Sequence, residues 1–176
     1  MTNTERIAVT GTPGTGKTTA TERLVDHGID VPVVHLNDEI KTHELWSDRD
    51  VDRDSLITDF EAVESHLGEW DGILESHLAH HFDVDRVIVL RCAPSELETR
   101  LTERGDPAAK AAENAESEAL DVVLSEAVGT HGQQSVYEID TTDRSPEEVA
   151  DEIVAAIDGD REPSAGEVDF TEYLIP

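Results

Sequence analysis

Lysine is nearly missing from this chain. Only Lys17, Lys41 and Lys110 occur among 176 residues, and with ten arginines they make 13 cations against 41 carboxylates, a formal net charge of −28. No basic stripe is left to follow a nucleic-acid backbone, so direct nucleic-acid binding is not expected. Aromatic residues are scarce as well, at 4%. Cysteine is limited to Cys92, which excludes an intramolecular disulfide and fits a reducing cytosol. Long apolar runs are missing too: the longest strongly apolar stretch, VIVL at 87–90, cannot span a bilayer, and the N-terminus does not resemble a signal peptide. These shortages lead to the expectation of a cytoplasmic protein with no membrane partner.

What is present is acid in a folding pattern. Carboxylates alternate with Val, Ile, Leu and Ala rather than forming blocks, which points to a folded chain with an acidic skin rather than to disorder. Such a skin suits cytoplasm at molar salt, where the Debye length falls to about 3 Å and self-repulsion is screened. A halophilic source is therefore expected.

Apolar runs and turn signals alternate along the chain. RIAVTG (6–11), VPVVHL (31–36), DGILES (71–76), DRVIVLR (85–91) and QSVYEID (134–140) read as five strands. Helical patterns are expected at 17–28, from Leu56 to Gly68, after Pro94, from Pro107 to Val128, and at 145–157, where Ser145, Pro146 and two Glu form a helix start. The stretch 37–54 is charged and reads as irregular, with short helical possibilities around Glu39–Trp46. Strands alternating with helices imply an α/β fold, a parallel sheet covered on both faces. Length allows one domain with a substantial core. That domain is expected over 1–158, followed by a tail over 159–176 in which Phe170, Tyr173 and Leu174 are candidates for packing.

The strongest chemical signal is GTPGTGKT, residues 11–18, between the first strand and the first helix. In such a loop Gly14, Thr15 and Gly16 turn backbone N–H groups toward phosphate oxygens. Lys17 brings a charge to the β and γ groups, Thr18 can ligate Mg²⁺, and Thr19 continues the turn. A nucleoside triphosphate site, ATP with Mg²⁺, follows.

In this order, GTPGTGKTT, the short insert after strand two, ILESH, VIVLR, LTERG and SEALDVVLSEA resemble the adenylate kinase isoenzyme 6 family over roughly residues 5–158. The resemblance implies a P-loop NTP hydrolase fold with a five-stranded parallel sheet, a nucleoside monophosphate (NMP) insert at about 35–57 and a short lid at about 101–112. It also implies transfer of the γ-phosphoryl group of Mg·ATP to AMP or a similar NMP, ATP hydrolysis, and a role in small-ribosomal-subunit maturation (rRNA processing). A small-subunit ribosomal protein with a basic tail would be the partner. The alternative is an ATP-driven ribosome-assembly factor whose kinase activity is incidental.

Site residues follow from the same resemblance. The motif ESHL occurs twice, at 64–67 and 75–78. The second copy ends an apolar strand, at the sheet edge where open α/β folds bind ligands. By position Glu75 becomes the metal-side carboxylate and His77 the residue that orients or activates water, whereas Glu64 and His66 read as solvated surface. Asp38, with Asn37, matches the start of the monophosphate segment, and Arg91 is assigned to the acceptor phosphate. Lys41, Arg49 and Arg53 are further candidates for that phosphate. Arg100 and Arg104 belong to the lid, Arg100 to neutralise developing charge and Arg104 to cover ATP, and Arg144 falls in the adenine loop. Separately, the spacing of His77, His80 and His81 would suit Zn²⁺ on a regular helix.

Overall fold

The computed structural model describes residues 5–52 and 55–176. Strand β1 (Arg6–Gly11) lies at the centre of a five-stranded sheet with β2 (Val33–His35), β5 (Gly72–Glu75), β6 (Arg86–Arg91) and β7 (Val136–Asp140), in the order β2-β5-β1-β6-β7, every pairing parallel. The sheet is buried on both faces because its strands carry apolar side chains at successive positions. Ala8, Leu74, Val87 and Val89 face one core, and Ile7, Val9, Ile73, Ile88 and Leu90 face the other.

Helix α1 (Lys17–Glu22) and helix α7 (Pro146–Asp158) cover the second core. Helices α2 (Leu36–Thr42), α3 (Phe60–Leu67) and α6 (Val122–His131) contribute Leu36, Ile40, Val63, Leu124 and Ala127 to the first. Helix α7 starts as its sequence suggests. Ser145 Oγ accepts from the Glu148 backbone N–H, and the Glu148 carboxylate accepts from that of Ser145. Among the described residues no helix is long and apolar enough to cross a membrane.

Three local expectations are corrected. The insert is not irregular: β3 (Trp46–Asp50) and β4 (Ser55–Thr58) form an antiparallel hairpin, and Leu56 belongs to that hairpin rather than to the helix that follows it. The helix at 17–28 changes character at Arg23, and Leu24–His27 is a tighter 3₁₀ turn ended by Gly28. The single helix expected over 107–128 is two, α5 (Ala108–Ala119) and α6, separated where Asp121 adopts φ +57°. Its carboxylate accepts from Arg91 Nη2 at 2.5 Å, a tertiary contact that helical periodicity does not report.

The segment after α7 is tied to the sheet edge. Ser164 forms a parallel bridge with Tyr137, and its carbonyl accepts from Glu138 N–H at 2.8 Å. Tyr173 Oη donates to Glu98 of α4 (Pro94–Glu103) at 2.9 Å, so the tail closes over α4 as well.

Candidate active site

In the sheet order, the connection from β1 leaves toward β2 while that from β5 crosses to β6 on the other side. Adjacent strands whose connections diverge open a crevice at their C-terminal ends, and ligands of such sheets bind there. The loop after β1 and Glu75 at the end of β5 meet in that crevice. It widens into a cleft of about 1390 Å³ bounded by the phosphate loop, the hairpin β3–β4 and the α4–α5 turn. A single small-molecule site typically occupies roughly 300–1,000 Å³. This cleft has room for two substrates.

The phosphate loop needs its glycines for two reasons. Gly16 caps α1 with φ 90°, in the left-handed region that L side chains rarely adopt. Gly14, at φ +93°, passes so close to α4 that a Cβ would sit 2.8 Å from Leu101 Cδ2 and 2.9 Å from Leu97 Cδ1. The loop is thereby packed directly on α4 (Pro94–Glu103).

Lys17 is buried at the base of the loop, where its Nζ donates to the carbonyls of Gly11 at 3.0 Å and Thr12 at 3.1 Å. Burial pulls its pKa down to about 8, against the opposing pull of the Glu75 and Glu118 carboxylates. The ammonium is still charged at neutral pH. Thr15 Oγ1 donates to the Thr12 carbonyl at 2.9 Å and stiffens the loop. Thr18 and Thr19 face the cleft.

Glu75 is almost fully buried, yet its Oε1 accepts from Thr18 Oγ1 at 2.8 Å and lies 2.8 Å from His35 Nδ1. Two hard oxygens at this separation come close to the edge of a Mg²⁺ octahedron, about 3.0 Å for Mg–O bonds of about 2.1 Å. Thr18 and Glu75 therefore fit Mg²⁺. His35, at the end of β2, carried no motif. Only the pairing of β2 with β5, which sets His35 against Glu75, reveals it.

His77 lies in the cleft, with its pKa lowered to about 4. Burial is the main cause, followed by the positive charge of Lys17 and by His80, His81 and Lys110. It is neutral at pH 7. Arg100 is half-buried over the loop, with its guanidinium 3.4 Å from the Gly14 carbonyl and 3.3 Å from the Thr141 carbonyl, and pairs with Glu96 at 3.1 Å. Arg104 also lines the cleft, clasped by Asp106 at 3.0 Å.

One assignment is corrected, and two further residues do not line the cleft. Arg91 does not face the cleft: it is 0% exposed behind the phosphate loop. Its guanidinium is held by Glu118 at 3.1 Å, Glu138 at 2.6 Å and Asp121 at 2.5 Å, with the Phe170 ring 5.3 Å away. A fully buried arginine that donates to three carboxylates and to the Glu118 carbonyl is not presented to a phosphate in the cleft. Asp38 is exposed on α2 and does not line the cleft, whereas its neighbour Asn37 does and accepts from Ser76 Oγ at 2.7 Å. Arg144 is not brought into the cleft but pairs with Glu152 of α7 at 3.7 Å.

Lys41 and Arg49 line the cleft, and Arg53 lies outside the described residues. The hairpin adds Trp46, Leu56 and Ile57, and Phe60 follows from α3, a set of apolar side chains lining the cleft that the sequence reading missed. A lone Trp in a charged stretch of an aromatic-poor chain was the available signal. Of the first ESHL copy, Glu64 is exposed, whereas His66 Nε2 lies 2.8 Å from Glu39 and its ring stacks 4.2 Å from His43.

Known proteins agree with this architecture. The sequence profile described as "AAA domain" matches residues 7–121. A protein of Natronomonas pharaonis named "Putative adenylate kinase" is 64% identical over 96% of this chain and 99% of its own length. One of the same name from Methanocaldococcus jannaschii is 41% identical over 95% of this chain and 93% of its own. The chain belongs to this adenylate kinase family. Membership agrees with the isoenzyme 6 resemblance and makes the chain a P-loop protein of the NMP kinase type. The fold also resembles shikimate kinase from Bacteroides thetaiotaomicron, with a TM-score of 0.56 at 19% identity, covering 88% of this chain and 98% of that one. The enzyme of the same name from Aquifex aeolicus gives 0.51 at 16% identity, over 88% and 97%. At such identities the likeness concerns the fold alone.

Proposed function

We infer that the chain transfers the γ-phosphoryl group of Mg·ATP to AMP or a related NMP, and hydrolyses ATP when water takes the acceptor's place. The observation that carries this reading is a single cleft with a phosphate loop at one end and an apolar hairpin at the other. Lys17 neutralises charge at the β and γ groups, and Arg100, anchored over the loop, meets charge developing on the transferred group. Mg²⁺ bound with the nucleotide supplies further charge neutralisation, and Thr18 and Glu75 are the residues that would hold it. Trp46, Leu56, Ile57 and Phe60 offer an apolar surface to the acceptor base, and Arg104 covers ATP. With a pKa near 4, His77 is a weak proton acceptor at pH 7, where an efficient base has a pKa close to the operating pH. Its role is to orient the water rather than to deprotonate it. The work takes place in the cytoplasm.

The test is an ADP-coupled assay with ATP alone and with ATP plus each of AMP, CMP, UMP and GMP. Acceleration by at least one monophosphate is expected, with slow turnover in its absence. Turnover that ignores every monophosphate rejects the kinase reading.

One observation favours a second reading, an ATP-driven assembly factor. A net charge of −28 complements the basic tails of small-subunit ribosomal proteins and repels RNA. Pull-downs from lysate at high salt with ATP analogue, ADP or no nucleotide decide it. Recovery of a ribosomal protein that depends on the nucleotide supports the second reading, and recovery of none in any state rejects it.

A further inference from the structure

The histidines after β5 divide into two groups. His77 turns into the cleft, whereas His80 and His81, on the 3₁₀ turn Ala79–His81, turn away from it toward α6. There the Nε2 atoms of both rings meet one carboxylate oxygen, Glu126 Oε2, at 3.1 Å each. We propose that His80, His81 and Glu126 form a binding site for a divalent transition-metal cation of the zinc type, separate from the oxygen pair Thr18–Glu75.

Ligand chemistry, dimensions and support all point this way. Two imidazole nitrogens and one carboxylate oxygen are a donor set used by zinc, which favours nitrogen where Mg²⁺ favours oxygen alone. With Zn–N and Zn–O bonds of about 2.05 Å, the edge of a tetrahedron is about 3.3 Å. The two N···O separations of 3.1 Å are already close to that edge, and all three ligand atoms lie within 4.8 Å of one another. The remaining closure belongs to His81 and Glu126, whose side chains are 34% and 40% exposed.

Metal-binding histidines are usually fixed through their second nitrogen. His80, 1% exposed, has its Nδ1 2.7 Å from Thr10 Oγ1, which leaves Nε2 aimed at Glu126. Its carbonyl accepts from His131 Nε2 at 2.7 Å, which fixes the turn itself. The His81 ring packs edge-on against Phe60 at 5.5 Å. Three protein ligands leave the fourth tetrahedral position to water.

The location gives the site a consequence. Thr10 immediately precedes Gly11 of the phosphate loop, and the 79–81 turn follows Glu75 and His77. A cation here ties α6 to the turn that carries the catalytic end of β5. It braces the floor of the cleft without touching a substrate.

A second group, Glu39, His43 and His66, has similar composition but lies on the open surface of α2 and α3. It serves as the internal control. The full chain, freed of metal with a chelator and kept in concentrated potassium sulfate, is titrated with Co²⁺ alone, and Zn²⁺ is then added. One equivalent is expected to give the intense visible absorption of tetrahedral Co²⁺, and Zn²⁺ to displace it. Glu126→Gln and His81→Ala, both at partly exposed positions, are expected to remove the band and weaken binding about a hundredfold or more, since even outer-shell partners are worth 10–100-fold. The double variant His43→Ala/His66→Ala is expected to keep it. Absence of the tetrahedral band in the unmodified chain overturns the proposal, as does its survival in both Glu126→Gln and His81→Ala. Loss of the band in the double variant moves the site to the other group and overturns it equally. All of these readouts are independent of phosphoryl transfer.

Discussion

Arg91 separates two accounts of this fold, and replacing it with methionine tests them directly. The substitution keeps an unbranched, apolar stem and removes the guanidinium with its charge. Glu118 and Glu138 stay in place, 1% and 2% exposed, with their counter-ion gone. Breaking a buried ion pair from one side costs about 3–5 kcal/mol, because a charge is left unpaired in a low-dielectric interior. Domains of this size lose roughly 2–4 °C of melting temperature per kcal/mol, so the midpoint falls by roughly 6–20 °C. Burial already pushes the Glu118 pKa up, and the Arg91 charge opposes that push. Without the arginine the carboxyl moves further up, and part of the loss is recovered in mild acid. The assay is thermal unfolding of the full chain at fixed high salt, run beside the KM for the acceptor at a temperature where both proteins are folded. The expected result is a large drop in melting temperature with KM changed less than about threefold. An unchanged melting temperature with a KM raised tenfold or more would refute the structural reading and return Arg91 to the acceptor phosphate.

Three further outcomes follow from the same geometry. Lys17→Ala should fold and lose phosphoryl transfer by about a hundredfold or more, since it removes charge stabilisation at the β and γ groups; retention of a tenth of the activity in the coupled assay contradicts the role. His77 has a folded pKa near 4, below its ordinary value of 6.5, so the unfolded chain binds its proton first as pH falls. Stability is therefore lost between pH 6.5 and 4, by up to about 3 kcal/mol. His77→Gln should flatten that limb of a denaturant titration while His66→Gln leaves it steep, and the His77 change should depress ATP hydrolysis more than transfer to AMP. Finally, with a formal charge of −28, the melting temperature should climb steeply across a potassium chloride series as repulsion is screened, and a flat series would remove the halophile reading.

Sequence alone determined whatever depends on local order. A glycine-rich loop between an apolar strand and a helix specifies its own backbone, so the phosphate site could be read from residues 11–18 before any fold was known. The five parallel strands announced themselves as apolar runs, because strands buried on both faces carry no polar alternation. The helix start at Ser145 was equally local. The second ESHL copy was distinguished from the first by a neighbouring feature, the strand that ends at Glu75.

Tertiary structure decided everything that depends on what a side chain meets. Arg91 ends its strand at the ligand edge, yet three carboxylates from distant segments enclose it, and no spacing in the sequence encodes that enclosure. Asp121 breaks a helix that periodicity runs straight through, because the bond to Arg91 holds it in a left-handed turn. The β3–β4 hairpin escaped notice because β3 is charged and largely exposed, and the pairing of two strands is a relation between segments. His80 and His81 looked like companions of His77 along the chain, but a 3₁₀ turn rotates them onto Glu126, 45 residues away from His81 in sequence. Local propensity is written residue by residue. Partnership between charges is settled only when the chain has folded and water has left the space between them.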